Sequence, residues 1–204
     1  MRLSVIFATL VLLSSLGYSQ IVNTATPDSF QMGYATYLKN GDSSLILSNG
    51  GAQIGTTVFG VPTEGIICAS IYVFDTREEL NECCSCRVTP DGFRSFSARN
   101  DLTENPVTGI APTNSIIKLV ATIQNINGAC DPTFNDYQQV SGLTAWGTTI
   151  TPAPPAGKTY SVIPVIYKNE PLSLTEIDSL ASTCLFADRL GSGKGICSCG
   201  VSGD

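Results

Sequence analysis

The chain has 204 residues, of which 14% are charged, with 11 Lys and Arg against 17 Asp and Glu and a formal net charge of −6. An acidic, sparsely charged chain has no basic stripe to neutralise phosphates, which argues against nucleic acid and anionic membrane as partners. It contains no histidine, so a histidine-based triad, a Cys-His dyad and a His-ligated metal are excluded.

Residues 1–19 read as a signal peptide: Arg2, an apolar run from Leu3 to Leu13, then Ser14-Ser15-Leu16-Gly17-Tyr18-Ser19. The run is shorter than the roughly 20 residues of a membrane span, and no later segment is apolar enough to make one. Cleavage near Ser19 leaves Gln20 first. The remaining residues, 20–204, read as a single β-rich domain, expected to be secreted to the exterior or the cell surface.

Residues 20–31 read as an extended arm, with Gln20, Ile21, Val22 and Phe30 as its candidate assembly residues. Met32 to Leu38 alternates, Lys39-Asn40-Gly41-Asp42 reads as a hairpin turn, and Ser44 to Ser48 as the returning strand. Ile54 to Phe59 follows Asn49-Gly50-Gly51 as a third strand. Residues 66–74 are apolar on both faces, the mark of a strand covered on each side. Asp75 with Glu78 has capping-box spacing and predicts a short helix near 76–82 that delivers Cys83, Cys84 and Cys86. Pro90-Asp91-Gly92 is a turn into a strand over 93–98.

Residues 100–114 read as a long loop. In the strand from Ser115 to Gln124, Ile117, Leu119, Ala121 and Ile123 face in while Lys118, Thr122 and Gln124 face out. A second loop, Asn127 to Gln139, carries Cys130. The strand Leu143 to Ile150 holds the only Trp, Trp146. After a Pro-rich connection over 151–157, the strand Thr159 to Tyr167 contains Pro164, which donates no amide hydrogen and so predicts an edge position. Ser173 with Glu176 is a capping box, and Leu174, Ile177, Leu180, Ala181 and Cys184 recur at helical spacing up to a stop at Gly191.

The eight cysteines are Cys68, Cys83, Cys84, Cys86, Cys130, Cys184, Cys197 and Cys199. An even number in a chain with a secretory leader implies disulfides. Adjacent Cys83 and Cys84 would form a strained ring if bonded together. The 83/84/86 group is therefore expected to be tied largely to the 184/197/199 group, fastening the C-terminal segment to the central strand. CCxC and CxC do not match the C-x₂-C knuckles of zinc sites, so no metal or other cofactor is expected.

Other candidate chemistry reads as structural. Gly191 to Gly195 lacks the Ser or Thr that a phosphate loop needs after Lys194. Asp75, Glu78, Glu79 and Glu82 read as a solvated helix face rather than a catalytic carboxylate pair. Asp131, Asn135 and Asp136 could line a calcium loop, but no EF-hand pattern supports it. Trp146, Tyr160 and Tyr167 could form a sugar platform, with core packing the favoured role for Trp146.

Together ICASIYVFD, EELNECCSCRVTPDG, DLTENPVTG, GLTAWGTT and GSGKGICSCG resemble a group of small secreted cysteine-rich proteins encoded in many copies by Acidobacteria-type soil bacteria. The resemblance implies bacterial origin and export, and assigns no catalytic residue.

These readings converge on a mostly β fold, a disulfide-stapled antiparallel β-sandwich with one C-terminal α-helix. The expected function is non-enzymatic: a secreted structural or assembly protein of the cell exterior, a filament or matrix subunit binding copies of itself. Strand addition through the arm is the expected link. An extracellular carbohydrate-binding or surface-ligand-binding module is the alternative, and a carboxylate-only hydrolase the third reading.

Overall fold

The computed structural model describes residues 26–58, 61–125, 127–133, 138–153 and 159–199. The elements run β1 (Phe30–Ala35), β2 (Asp42–Asn49), β3 (Ile54–Val58), β4 (Val61–Glu64), β5 (Ile67–Asp75), β6 (Leu80–Val88), β7 (Phe93–Ser97), α1 (Ala98–Asp101), β8 (Ser115–Thr122), β9 (Leu143–Ala153), β10 (Thr159–Ile166), β11 (Lys168–Asn169) and α2 (Leu174–Leu190). One antiparallel sheet has the order β11-β1-β8-β5-β6 and a second has β10-β9-β2-β7, with β3-β4 a separate ribbon. The mostly β sandwich with a C-terminal helix and four disulfides is the architecture expected from sequence.

The molecule is layered in the order four-stranded sheet, five-stranded sheet, helix. Leu45, Leu47, Ile71, Val73, Leu119 and Leu143 fill the space between the sheets. Phe30, Tyr72, Cys83 and Val120 pack against Ile177, Leu180 and Cys184 of α2 on the other side. Strand β5 is therefore covered on both faces, which is why its sequence is apolar throughout. Strand β8 is also covered on both faces: Thr122, expected to face out, is buried, bridged to Gln139, and Lys118 pairs with Glu176 of α2.

Three local expectations are corrected. No helix forms at 76–82. Asp75 accepts instead from the backbone N–H groups of Arg77 and Glu79, and Glu78 takes a positive φ of 65°. The capping-type carboxylate thus closes a β5–β6 hairpin, and the three cysteines leave on a strand. The turn at 39–42 does not join a hairpin. Strand β1 pairs with β8 and β11 while β2 pairs with β7 and β9, so the chain changes sheets there. Alternation predicts a strand but not its partner. Finally, the 100–114 loop is preceded by α1, capped by Ser97.

Helix α2 is as expected. The Ser173 hydroxyl accepts from the N–H of Glu176, and Gly191 ends α2 in the left-handed conformation. Two buried polar side chains register the layers. Gln31 of β1 donates to the Leu143 carbonyl and accepts from the N–H of Ala145, so one amide side chain pairs with the backbone of the facing sheet. Asn49 donates to the carbonyls of Gly65 and Val88.

Gly147 sets the spacing of β2 and β9. A Cβ there would lie 1.9 Å from the Ser44 carbonyl oxygen, a backbone atom that cannot swing away. Gly147→Ala is expected to cost at least about 2–3 kcal/mol by prising the central strands apart. Urea unfolding measures this, and a midpoint shift equivalent to under about 0.5 kcal/mol would show that the strands yield.

Candidate functional site

The cysteines build the scaffold. Cys83 is bonded to Cys184, Cys84 to Cys197, Cys86 to Cys199 and Cys68 to Cys130. Strand alternation divides the labour. Cys83 faces the helix and reaches α2, while Cys84 and Cys86 face the other way and reach the terminal segment. That segment lies parallel to β6: the N–H of Cys83 donates to the Gly195 carbonyl at 2.9 Å, and the N–H of Cys197 donates to the Cys83 carbonyl at 3.0 Å. It forms a strap that occupies the edge of β6. The sulfurs of Cys84, Cys86 and Cys199 lie within 4.8 Å of one another, but each is in a disulfide and offers no thiolate to a metal.

The carboxylates do not form an accessible pair. Asp75 and Glu79 both sit within ion-pair distance of Arg77. Glu82 is 2% exposed, and its carboxylate accepts from the backbone N–H of Glu104 at 2.8 Å. Burial pushes its pKa up to about 8. The Glu104 hydrogen bond opposes that rise, and the charges of Glu104 and Asp101 add to it. Its geometry is that of a support for the loop after α1. Of the calcium candidates, Asp131 accepts from Thr133 in a local turn, and Asn135 and Asp136 lie outside the described residues.

The arm expectation divides. Gln20, Ile21 and Val22 lie outside the described residues. Phe30 belongs to the protein's own sheet: it is 4% exposed, paired opposite Val120 and packed beneath α2. An isolated aromatic after a polar stretch gave no sign of that burial.

The surface feature with chemical meaning is the outer face of the four-stranded sheet. On β9, Ala145, Gly147 and Thr149 face the interior. Leu45 and Leu47 of β2 already fill the space opposite these small residues, so strand parity turns Trp146 outward. Trp146 is 44% exposed, which corrects the core role expected for it. Directly opposed pairs share a face, and these are Trp146 with Ile166, Thr148 with Pro164, Ile150 with Val162 and Pro152 with Tyr160. Tyr160, Val162 and Ile166 are 67%, 62% and 74% exposed. Phe93, on β7, is exposed on the same side. Tyr167 leaves the proposed aromatic platform: it is buried, against Gly33, where a Cβ would meet its ring at 2.6 Å.

Strand β10 is an edge, as Pro164 predicts, since it pairs only with β9. Beyond the Asp42–Ile150 pair, β9 has no β2 partner. Its last residues and the start of β10 therefore form a two-stranded ribbon that outruns the sheet.

The fold and surface define a stapled β-sandwich with an apolar sheet face that no other described residue covers. No protein-family model and no curated protein matches the chain. Among solved structures, the crystal structure of Thermotoga maritima 1070 aligns at a TM-score of 0.44 and 9% identity, covering 73% of this chain and 100% of that one. That likeness is too low to carry a fold or functional argument. Among the described residues no helix is long and apolar enough to cross a membrane.

Proposed function

We propose that the protein is a secreted structural or assembly component of the cell exterior, joined to copies of itself. The observation that carries this reading is the outer face of the four-stranded sheet. Trp146, Ile150, Tyr160, Val162 and Ile166 on β9 and β10, with Phe93 across the sheet beyond Ser48 and Thr144, leave on the order of 600 Å² of apolar surface exposed at their fractional exposures, the aromatic rings at roughly 150–250 Å² each contributing most of it. That lies at the upper end of the largest patch of an ordinary monomer, about 300–600 Å², a size that is often functional. Four disulfides suit an extracellular setting.

The location of the patch shifts the mechanism from edge to face. Pro164 removes a donor from β10, so a strand added at that edge meets a broken ladder. The apolar face beside it has no such interruption.

Glycan binding is the second reading, supported by Trp146 and Tyr160 sharing this face. They stand six positions apart along the paired strands, roughly 20 Å at about 3.3 Å per residue. That spacing suits an extended polymer rather than one sugar ring. A carboxylate-only hydrolase finds less support, because Glu82 is buried and Asp75 and Glu79 are engaged by Arg77.

Negative-stain microscopy of exported material, with non-reducing mass mapping, tests the assembly reading. Multimeric particles with every thiol oxidised are expected. Monomers alone at high concentration, together with retention on a glycan array, would transfer the face to the second reading.

A further inference from the structure

We infer that the outer face of the four-stranded sheet packs against the same face of a second copy about a twofold axis, making a closed dimer. The inference rests on the assembly reading and specifies its partner and geometry.

The face is divided into a high half and a low half. The β9–β10 half carries Trp146, Ile150, Tyr160, Val162 and Ile166. On the β2–β7 half the outward positions include Ser44, Ser48, Ser95 and Ser97, with Ile46 between them and Phe93 at the end. A twofold operation lays the ridge of one copy over the serine-lined half of the other, and the reverse contact follows by symmetry. Two sheets stacked in this way pack about 10 Å apart.

At the Ser44–Ser97 end of the low half the polar groups are already paired within the chain, while the Ser48 and Ser95 hydroxyls would meet the partner's surface. Ser44 shares a hydrogen bond with the Thr148 hydroxyl, and Ser97 donates to Asp42. Asp42, the one charged residue among the outward positions of the four strands, also accepts from the N–H groups of Ser43 and Arg99. Both of its oxygens are therefore engaged within the chain. The scarcity of charge across the face and the aromatic and aliphatic side chains of the ridge are features of an interface core. The exposed apolar area, on the order of 600 Å² before the prolines and serines are included, approaches the about 800 Å² per partner of a stable complex.

The other end of the layered stack explains why the contact closes. The outward surface of α2 exposes Leu174 at one end and Phe186 with Leu190 at the other. They stand roughly 18 Å apart at about 1.5 Å per residue, with Asp178, Ser179 and Ser182 between them, so head-to-tail stacking would set the sheet face on a smaller, divided apolar surface.

Sedimentation equilibrium of the oxidised mature protein is the test, with fluorescence of the single Trp as a second readout. The mass is expected to plateau at twice that of the monomer, with Trp146 emission shifting to the blue as the dimer forms. Val162→Glu on the ridge and Ser95→Arg in the low half are each expected to weaken association at least about tenfold. Phe186→Ser on α2 should leave it unchanged. All three positions are exposed, and circular dichroism checks that each variant folds. Monomers at every concentration would overturn both this geometry and the assembly reading. Oligomers that resist Val162→Glu and Ser95→Arg, or that dissociate with Phe186→Ser, would overturn the twofold geometry and leave the assembly reading standing.

Discussion

Replacing Cys83, Cys84, Cys86, Cys184, Cys197 and Cys199 together by alanine is expected to leave a chain that does not fold. The three links span sequence separations of 101, 113 and 113 residues. Counted independently, each would contribute about 4–5 kcal/mol by restricting the unfolded chain. They interleave along the chain, however, and share one loop. Once Cys84–Cys197 is closed, Cys83–Cys184 constrains only the roughly 13 residues between Cys184 and Cys197, worth about 3 kcal/mol, and Cys86–Cys199 closes a ring of a few residues, worth about 2 kcal/mol. The set then contributes on the order of 10 kcal/mol, comparable with the whole stability of an ordinary domain, about 5–15 kcal/mol.

The single-link variants separate a shared loop from independent ones. Cys86→Ala with Cys199→Ala should lower the melting temperature by roughly 4–8 °C, and Cys83→Ala with Cys184→Ala by roughly 6–12 °C. Equal losses near 5 kcal/mol for both pairs, read by guanidinium unfolding, would show that the links do not share a loop.

Glu82→Gln should stabilise the protein in alkaline solution and change little in acid. In the folded state burial holds the Glu82 carboxyl protonated up to about pH 8, against a usual value of 4.5. The folded state therefore binds the proton more tightly than the unfolded chain. Its contribution to stability is complete below about pH 4.5, falls as the pH rises, and is lost above about pH 8. Glutamine keeps an oxygen that can accept from the Glu104 N–H and never ionises. At pH 8.5 the variant should be more stable by a few kcal/mol, and at pH 4 the two proteins should melt together. Thermal melts at the two pH values decide it. A variant no more stable at pH 8.5 would mean that Glu82 ionises in place without penalty.

The sequence by itself determined the elements whose signals are local. Ser173, Glu176 and Gly191 define α2 because a helix is capped by its own neighbours. Pro164 marks β10 as an edge because proline lacks a donor wherever it stands. The apolar residues on both faces of β5, broken only by Ser70 before Asp75, call for cover on each side. Adjacent Cys83 and Cys84 would form a strained ring if bonded together, so their bonds are expected elsewhere; the particular partners come from the structure.

Tertiary structure alone decided the rest, because it turns on which strand lies beside which. Asp75 and Glu78 satisfy the spacing of a helix cap and of a tight turn alike, and the pairing of β5 with β6 selects the turn. The 39–42 segment satisfies a hairpin or a change of sheet, and the partners of β1 and β2 select the latter. Trp146 lies on a strand of alternating small residues. Which parity faces inward depends on Leu45 and Leu47 across the sheet, residues about 100 positions away. The candidate interface is illegible in sequence for the same reason. Phe93, Trp146 and Tyr160 belong to three strands, and only their registration on one sheet makes a face of them.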